Sequence, residues 1–146
     1  MNDEDILNSI DEAVRGELFD VVKEIHNAPY ARLNDIDVVS VSKDKVTVRM
    51  ALSGDKKNSI GYAHGAAIFM IADQAFAFAA NLGQKRQIAL SSSITYHRPG
   101  IGNELTAVSE RISETNSVST YIVKIYCDGK HIATATSVGF KIELRK

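Results

Sequence analysis

Asp73 is the only acidic residue in GYAHGAAIFMIADQAFAFAAN, a run rich in Ala, Ile and Phe. If the run is helical, the neighbours of Asp73 three and four residues away are Phe69, Met70, Phe76 and Ala77, so no Lys or Arg of the same helix pairs with it. A buried, unpaired carboxylate is costly, so Asp73 must be solvated, hydrogen-bonded from elsewhere or held protonated. Carboxylates under such pressure mark functional sites, although a helix partly exposed at that point, or a cap on a loop, would also explain one.

Just upstream, Asn58, Gly61, His64 and Gly65 lead into the same run. The first N–H groups of a helix have no internal partner and lie at the positive end of its dipole, so they can hold a carbonyl oxygen as negative charge develops on it. Gly65 would let a substrate approach the backbone; the plainer alternative for an HG dipeptide is that its glycine only shapes a turn. The oxyanion-type start and the carboxylate are about nine residues apart, roughly 13 Å along one helix, too far for one site within a single chain. The mismatch suggests a dimer in which the helix start of one chain meets Asp73 of the other. The strand SSSITYHRP is the other unusual place: alternation puts Ser91, Ser93 and Thr95 on one face, opposite Leu90, Ile94 and Tyr96.

These residues need a frame. Ile6, Ile10, Val14, Leu18, Val21, Val22 and Ile25 recur at three- and four-residue steps among charged residues, predicting one amphipathic N-terminal helix over Asp3 to Ile25. Val46, Val48, Met50 and Leu52 alternate with polar residues as a half-buried strand, with Ile36 to Val41 as the strand before it. The apolar helix follows from about Gly65 to Asn81. Strands are then expected over Ile88 to His97, Glu104 to Ile112, Val118 to Cys127 and His131 to Leu144, with Asp128-Gly129 as a tight hairpin turn. In the last strand Ile132, Thr134, Thr136, Val138, Phe140 and Ile142 share one face. The order predicts an α+β fold: one antiparallel sheet wrapped around a helix that needs cover on nearly every side.

The segment NSIGYAHGAAIFMIADQAFAFAAN resembles the N-x-x-G-x-x-H-G-G pattern, followed by apolar residues and A-D, of hotdog-fold thioesterases of the phenylacetate-degradation (PaaI-like) type. ITYHRPG and the GNELTA strand are similar to the next two strands of that family, so the resemblance runs from about Asn34 onward. It implies that Asp73 acts as general base on water or as nucleophile, and that Gly65 presents its backbone N–H to the thioester carbonyl across a dimer interface. It also implies that Asn58 and His64 order the loop and the water, and that Ser91 or Ser93 supplies a hydroxyl near the acyl group. Arg98 at the strand end is a candidate for a coenzyme A phosphate. The family joins two chains edge to edge, and its dimers often pair into tetramers. Ala66 departs from the second glycine of the pattern; alanine keeps the N–H, so altered room near the acyl group is expected and not lost chemistry.

The implied function is hydrolysis of an aryl- or medium-chain acyl-CoA, with coenzyme A entering only as part of the substrate and no other cofactor. The alternative is a hotdog domain that binds an acyl ligand without cleaving it. With 146 residues, 45% of them apolar, the chain has the size of one domain, about 1–28 of it the N-terminal helix. A formal net charge of −1 gives no general attraction to nucleic acid. No apolar run reaches the roughly 18 residues of a membrane span. The single Cys127 and the acidic start MNDEDILNS predict a cytoplasmic protein. His26, His64, His97 and His131 are dispersed without metal-ligand spacing, so no metal site is expected.

Overall fold

The computed structural model describes residues 1–144. Helices α1 (Asp3–Ser9), α2 (Arg15–His26) and α3 (Pro29–Leu33) precede β1 (Asp37–Val41) and β2 (Lys45–Ala51). A short 3-10 turn, Gly54–Lys56, leads to α4 (Gly65–Ala80), and β3 (Arg86–Tyr96), β4 (Glu104–Glu114), β5 (Val118–Cys127) and β6 (Lys130–Ile142) follow. The strands form one six-stranded sheet in the order β1-β2-β4-β5-β6-β3, each neighbouring pair antiparallel. β2 lies near one edge and β3 is the other edge, so α4, the connection between them, runs across the sheet and packs chiefly on β2, β4 and β5. Register shifts in β1, β3, β4 and between Ile125 and Tyr126 of β5 mark bulges. Bulges sharpen strand bend and twist, which lets a sheet curl around a helix.

The core between them follows period two on the strands. Val46, Val48 and Met50 of β2, Leu105 and Ala107 of β4, and Tyr121, Val123 and Ile125 of β5 are all buried. Ile68, Ile71, Phe76 and Phe78 of α4 meet them, while Ala67, Ala72, Ala75 and Ala79 keep the helix close to the strands. Each fully buried large aliphatic or aromatic side chain contributes roughly 1.5–3 kcal/mol, so this one interface dominates the stability.

Two expectations are corrected, and β6 shows which of its faces turns inward. The N-terminal segment is two helices, not one. Asp11 interrupts it: the Asp11 N–H donates to Val41 O at 2.8 Å, the Asp11 carboxylate accepts from Ala13 N, and Arg15 donates to Ile10 O. These bonds tie the break to the β1 edge, where Ile10 and Val41 form a parallel bridge. On β6 the inward face is Ala133, Ala135, Ser137 and Gly139, while the face of larger residues buries Ile132 and leaves Phe140 exposed. The small side chains make room for α4: a Cβ on Gly139 would stand 3.2 Å from the Phe76 ring. Finally, α4 is not covered all round. Ala66, Phe69 and Asp73 are exposed and Met70, Gln74 and Ala77 half-buried, one stripe at three- and four-residue spacing.

Candidate active site

The start of α4 is built by its own loop. Asn58 Oδ1 accepts from the backbone N–H groups of Ile60 (3.1 Å) and Tyr62 (3.0 Å), while the Asn58 N–H donates to Tyr62 O at 2.8 Å. Gly61 turns this loop at a φ of 81°, which glycine adopts without strain. His64 is the N-cap of α4: its backbone N–H donates to Lys56 O, and its Nδ1 accepts from Ala66 N at 3.0 Å. An Nδ1 that accepts leaves the proton of a neutral imidazole on Nε2. The Gly65 N–H makes no hydrogen bond among the described residues.

Gly65 borders a cleft of about 350 Å³ lined also by Asn58, Tyr62, Tyr96, His97 and Arg98, among others. Of the residues singled out in the sequence, the structure brings Asn58, Gly65 and Arg98 to this cleft, with His64 capping the helix at its side. Arg98 is anchored there by a bond from its Nη1 to His131 O at 2.9 Å. Tyr62, Tyr96 and His97 also line the cleft and were not singled out. Alternation places Tyr96 on the face of Leu90 and Ile94 but does not say that β3 is an edge strand; the tyrosines in GYAHG and TYHRP are the available signal.

Asp73 lies elsewhere. It is eight residues beyond Gly65, about 12 Å along the helix, and is not part of the lining of the cleft. On the single chain its side chain is exposed and, among the described residues, makes no ion pair. Partial desolvation by the surrounding protein still raises its carboxyl pKa above the ordinary 3.8. Ser91 and Ser93 are exposed on β3, also outside the lining of the cleft. β3 pairs only through one side, with β6, and Ile88, Leu90 and Tyr96 are exposed along it.

The rings of His97 and His131 meet at a tilt of 59° with centroids 5.1 Å apart, and the Nε2 of each lies 2.9 Å from Thr134 Oγ1. They are strand-end residues, and no group of three or more His, Cys, Asp or Glu gathers as a metal site among the described residues. Cys127 is a buried core thiol, and burial raises its pKa, so it is a poor nucleophile. No helix is long and apolar enough to cross a membrane among the described residues.

Residues 60–134, from the loop before α4 into β6, match the thioesterase superfamily. The chain belongs to that family. It is similar to a putative esterase of Archaeoglobus fulgidus, 30% identical over 94 residues that make up 64% of this chain and 61% of that protein. It is also similar to acyl-coenzyme A thioesterase PaaI of Escherichia coli, 29% identical over 100 residues, 68% of this chain and 71% of that protein. Among solved structures, a mutant form of phenylacetic acid degradation protein PaaI from Thermus thermophilus aligns with a TM-score of 0.74 and 28% identity, over 79% of this chain and 100% of that one. The chain thus spans about three fifths of the archaeal relative, 61%. Together with the curled sheet and its crossing helix, these matches make this member of the thioesterase superfamily a PaaI-like hotdog protein.

Proposed function

We propose that the chain is an acyl-CoA thioesterase that hydrolyses an aryl- or medium-chain acyl-CoA and works as a dimer or a dimer of dimers. The observation that carries the reading is the unpaired N–H of Gly65, a residue at the start of α4 that lines a cleft with Asn58 and Arg98. The thioester carbonyl sits against that N–H, and Arg98 meets a phosphate of coenzyme A. Asn58 and His64 keep the loop and the attacking water in order. The 12 Å gap to Asp73 is closed by a second copy, so that Asp73 of the partner subunit faces the Gly65 N–H. The open stripe on α4 and the unpaired edge of β3, with exposed Ile88 and Leu90, support this assembly, because a free edge and an apolar face are what a matching chain would cover.

In the step itself, a water attacks the thioester carbon as Asp73 takes its proton, and the carbonyl oxygen becomes an oxyanion held by the Gly65 N–H. Collapse breaks the C–S bond, and the thiolate leaves with the proton that Asp73 had taken, giving a carboxylic acid and free coenzyme A. In the other version the Asp73 carboxylate attacks the thioester carbon, the C–S bond breaks to expel the thiolate, and water then cleaves the mixed anhydride, returning the Asp73 carboxylate and giving the carboxylic acid while one water proton ends on the thiolate. Neither version draws on a metal or redox group. Ser91 or Ser93 offers a hydroxyl to the acyl group, and a cytoplasmic location belongs to the same reading. The test is thiol release from a panel of aryl and aliphatic acyl-CoA thioesters. Saturable release with one or more of them is expected. Binding without release from any of them would instead establish the non-catalytic acyl-binding reading.

A further inference from the structure

The peptide that follows the Gly65 N–H is held at both ends by side chains. At one end the Ala66 N–H donates to His64 Nδ1 at 3.0 Å; at the other the Tyr96 hydroxyl donates to Gly65 O at 3.2 Å. His64 is the immediate neighbour of that peptide, but Tyr96 reaches it from the end of β3, 31 residues further along the chain. The Tyr96 ring also covers the place where a side chain at position 65 would stand: a Cβ there would lie 3.6 Å from the Tyr96 oxygen and 3.7 Å from Cζ.

We infer that Tyr96 is a positioning residue for hydrolysis: its hydroxyl, bonded to the Gly65 carbonyl, ties the first residue of α4 to the end of β3 and so fixes where the Gly65 N–H stands relative to the Arg98 end of the cleft, while its ring forms part of the cleft wall. The inference rests on the thioesterase reading for its effect on rate but not for the clamp itself. The physical argument is geometric. The helix bonds of α4, Ile68 N–H to His64 O at 3.0 Å among them, hold the Gly65 N–H within the helix but do not tie that helix start to β3, and the Tyr96 bond supplies that tie. An oxyanion donor is worth most when it is aimed beforehand at the developing charge, because it then needs no reorganisation during the reaction. Tyr96 does not touch the reacting atoms in this account; it acts through Gly65. Its placement on β3 also links the site to the sheet edge, since a shift of that edge moves the tyrosine and the peptide it holds.

Tyr96→Phe keeps the ring and removes the hydroxyl, and Tyr96→Ala removes both. Because the residue is 48% exposed, the fold should survive either change, which circular dichroism and thermal melting check. With the acyl-CoA found to be cleaved best, Tyr96→Phe should lower kcat about 3- to 10-fold with KM within twofold of wild type, and Tyr96→Ala should raise KM as well. Amide exchange read by NMR provides a second readout that needs no activity: the Ala66 amide should exchange at least threefold faster in Tyr96→Phe, with amides in the middle of α4 unchanged. Unchanged kcat together with unchanged Ala66 exchange would overturn the inference. A protein that hydrolyses nothing yet shows the faster exchange would retain the clamp and fail the thioesterase reading instead.

Discussion

Gly65→Ala separates a glycine needed by the backbone from one needed by a substrate. Gly65 does not have a positive φ, and the added methyl would meet only Tyr96, at 3.6 Å to its oxygen and 3.7 and 3.8 Å to ring carbons, all ordinary contacts. Nothing within the chain therefore demands glycine. Alanine in place of glycine in a helix stabilises by roughly 0.5–1 kcal/mol, and less in the first turn, so the variant should melt no lower than wild type and up to about 2–4 °C higher. The methyl nevertheless stands beside the Gly65 N–H on the Tyr96 side of the cleft and narrows the approach of a thioester oxygen, which must come to about 2.9 Å to accept a hydrogen bond. Alanine keeps the N–H, so the loss from crowding is bounded by that for removal of one oxyanion donor, about 10²- to 10³-fold in kcat, equivalent to about 2.7–4 kcal/mol. Thermal melting and thiol release on the same preparation decide the matter: a stable, slow Gly65→Ala is expected. A variant with wild-type kcat/KM would show that the Gly65 N–H is not the oxyanion donor, and one that fails to fold would show that the glycine is structural.

Three further outcomes are expected. His26 is buried against Arg32, and burial together with the guanidinium lowers its pKa from 6.5 to about 4. Its contribution to stability is therefore complete above pH 6.5 and lost as pH falls toward 4, by about 3 kcal/mol at 1.36 kcal/mol per pH unit; urea unfolding at pH 7 and pH 4 should show a smaller difference in His26→Gln than in wild type, and equal differences would remove His26 as the cause. In the proposed hydrolysis Asp73 acts as base or nucleophile only when ionised, and its pKa is raised by desolvation, so kcat/KM should fall with decreasing pH through a limb above the ordinary carboxylate value of 3.8; a limb below that value would contradict the assignment. Leu90 is exposed on the β3 edge, so Leu90→Asp should leave the single-chain fold intact and weaken association at least about tenfold, equivalent to about 1.4 kcal/mol, by light scattering; unchanged association would place the interface elsewhere.

The strands and α4 were legible because their signals are local. Alternation over Val46, Val48 and Met50, the Asp128-Gly129 turn and the apolar run from Gly65 each depend on near neighbours only. The break at Asp11 was hidden because Ile10 and Val14 keep helical spacing through a turn that is fixed from outside, by Val41 of β1. The inward face of β6 was hidden for a similar reason: Ala133, Ala135, Ser137 and Gly139 are chosen by the approach of α4, which no periodicity in β6 records. Asn58, His64 and Gly65 could be read from one loop-to-helix segment. Tyr96 could not, since its partner is a carbonyl 31 residues away across the fold. The role of Asp73 is the least local of all, because the atoms it is proposed to face belong to another copy of the chain.

The most direct test of the central claim compares wild type with Asp73→Asn, which keeps size and hydrogen-bonding shape but removes the base, on the best acyl-CoA substrate. Thiol release gives turnover and calorimetry gives binding. The account predicts kcat lower by about 10²- to 10⁴-fold with acyl-CoA affinity within a few fold of wild type. Turnover near the wild-type rate in Asp73→Asn would contradict it.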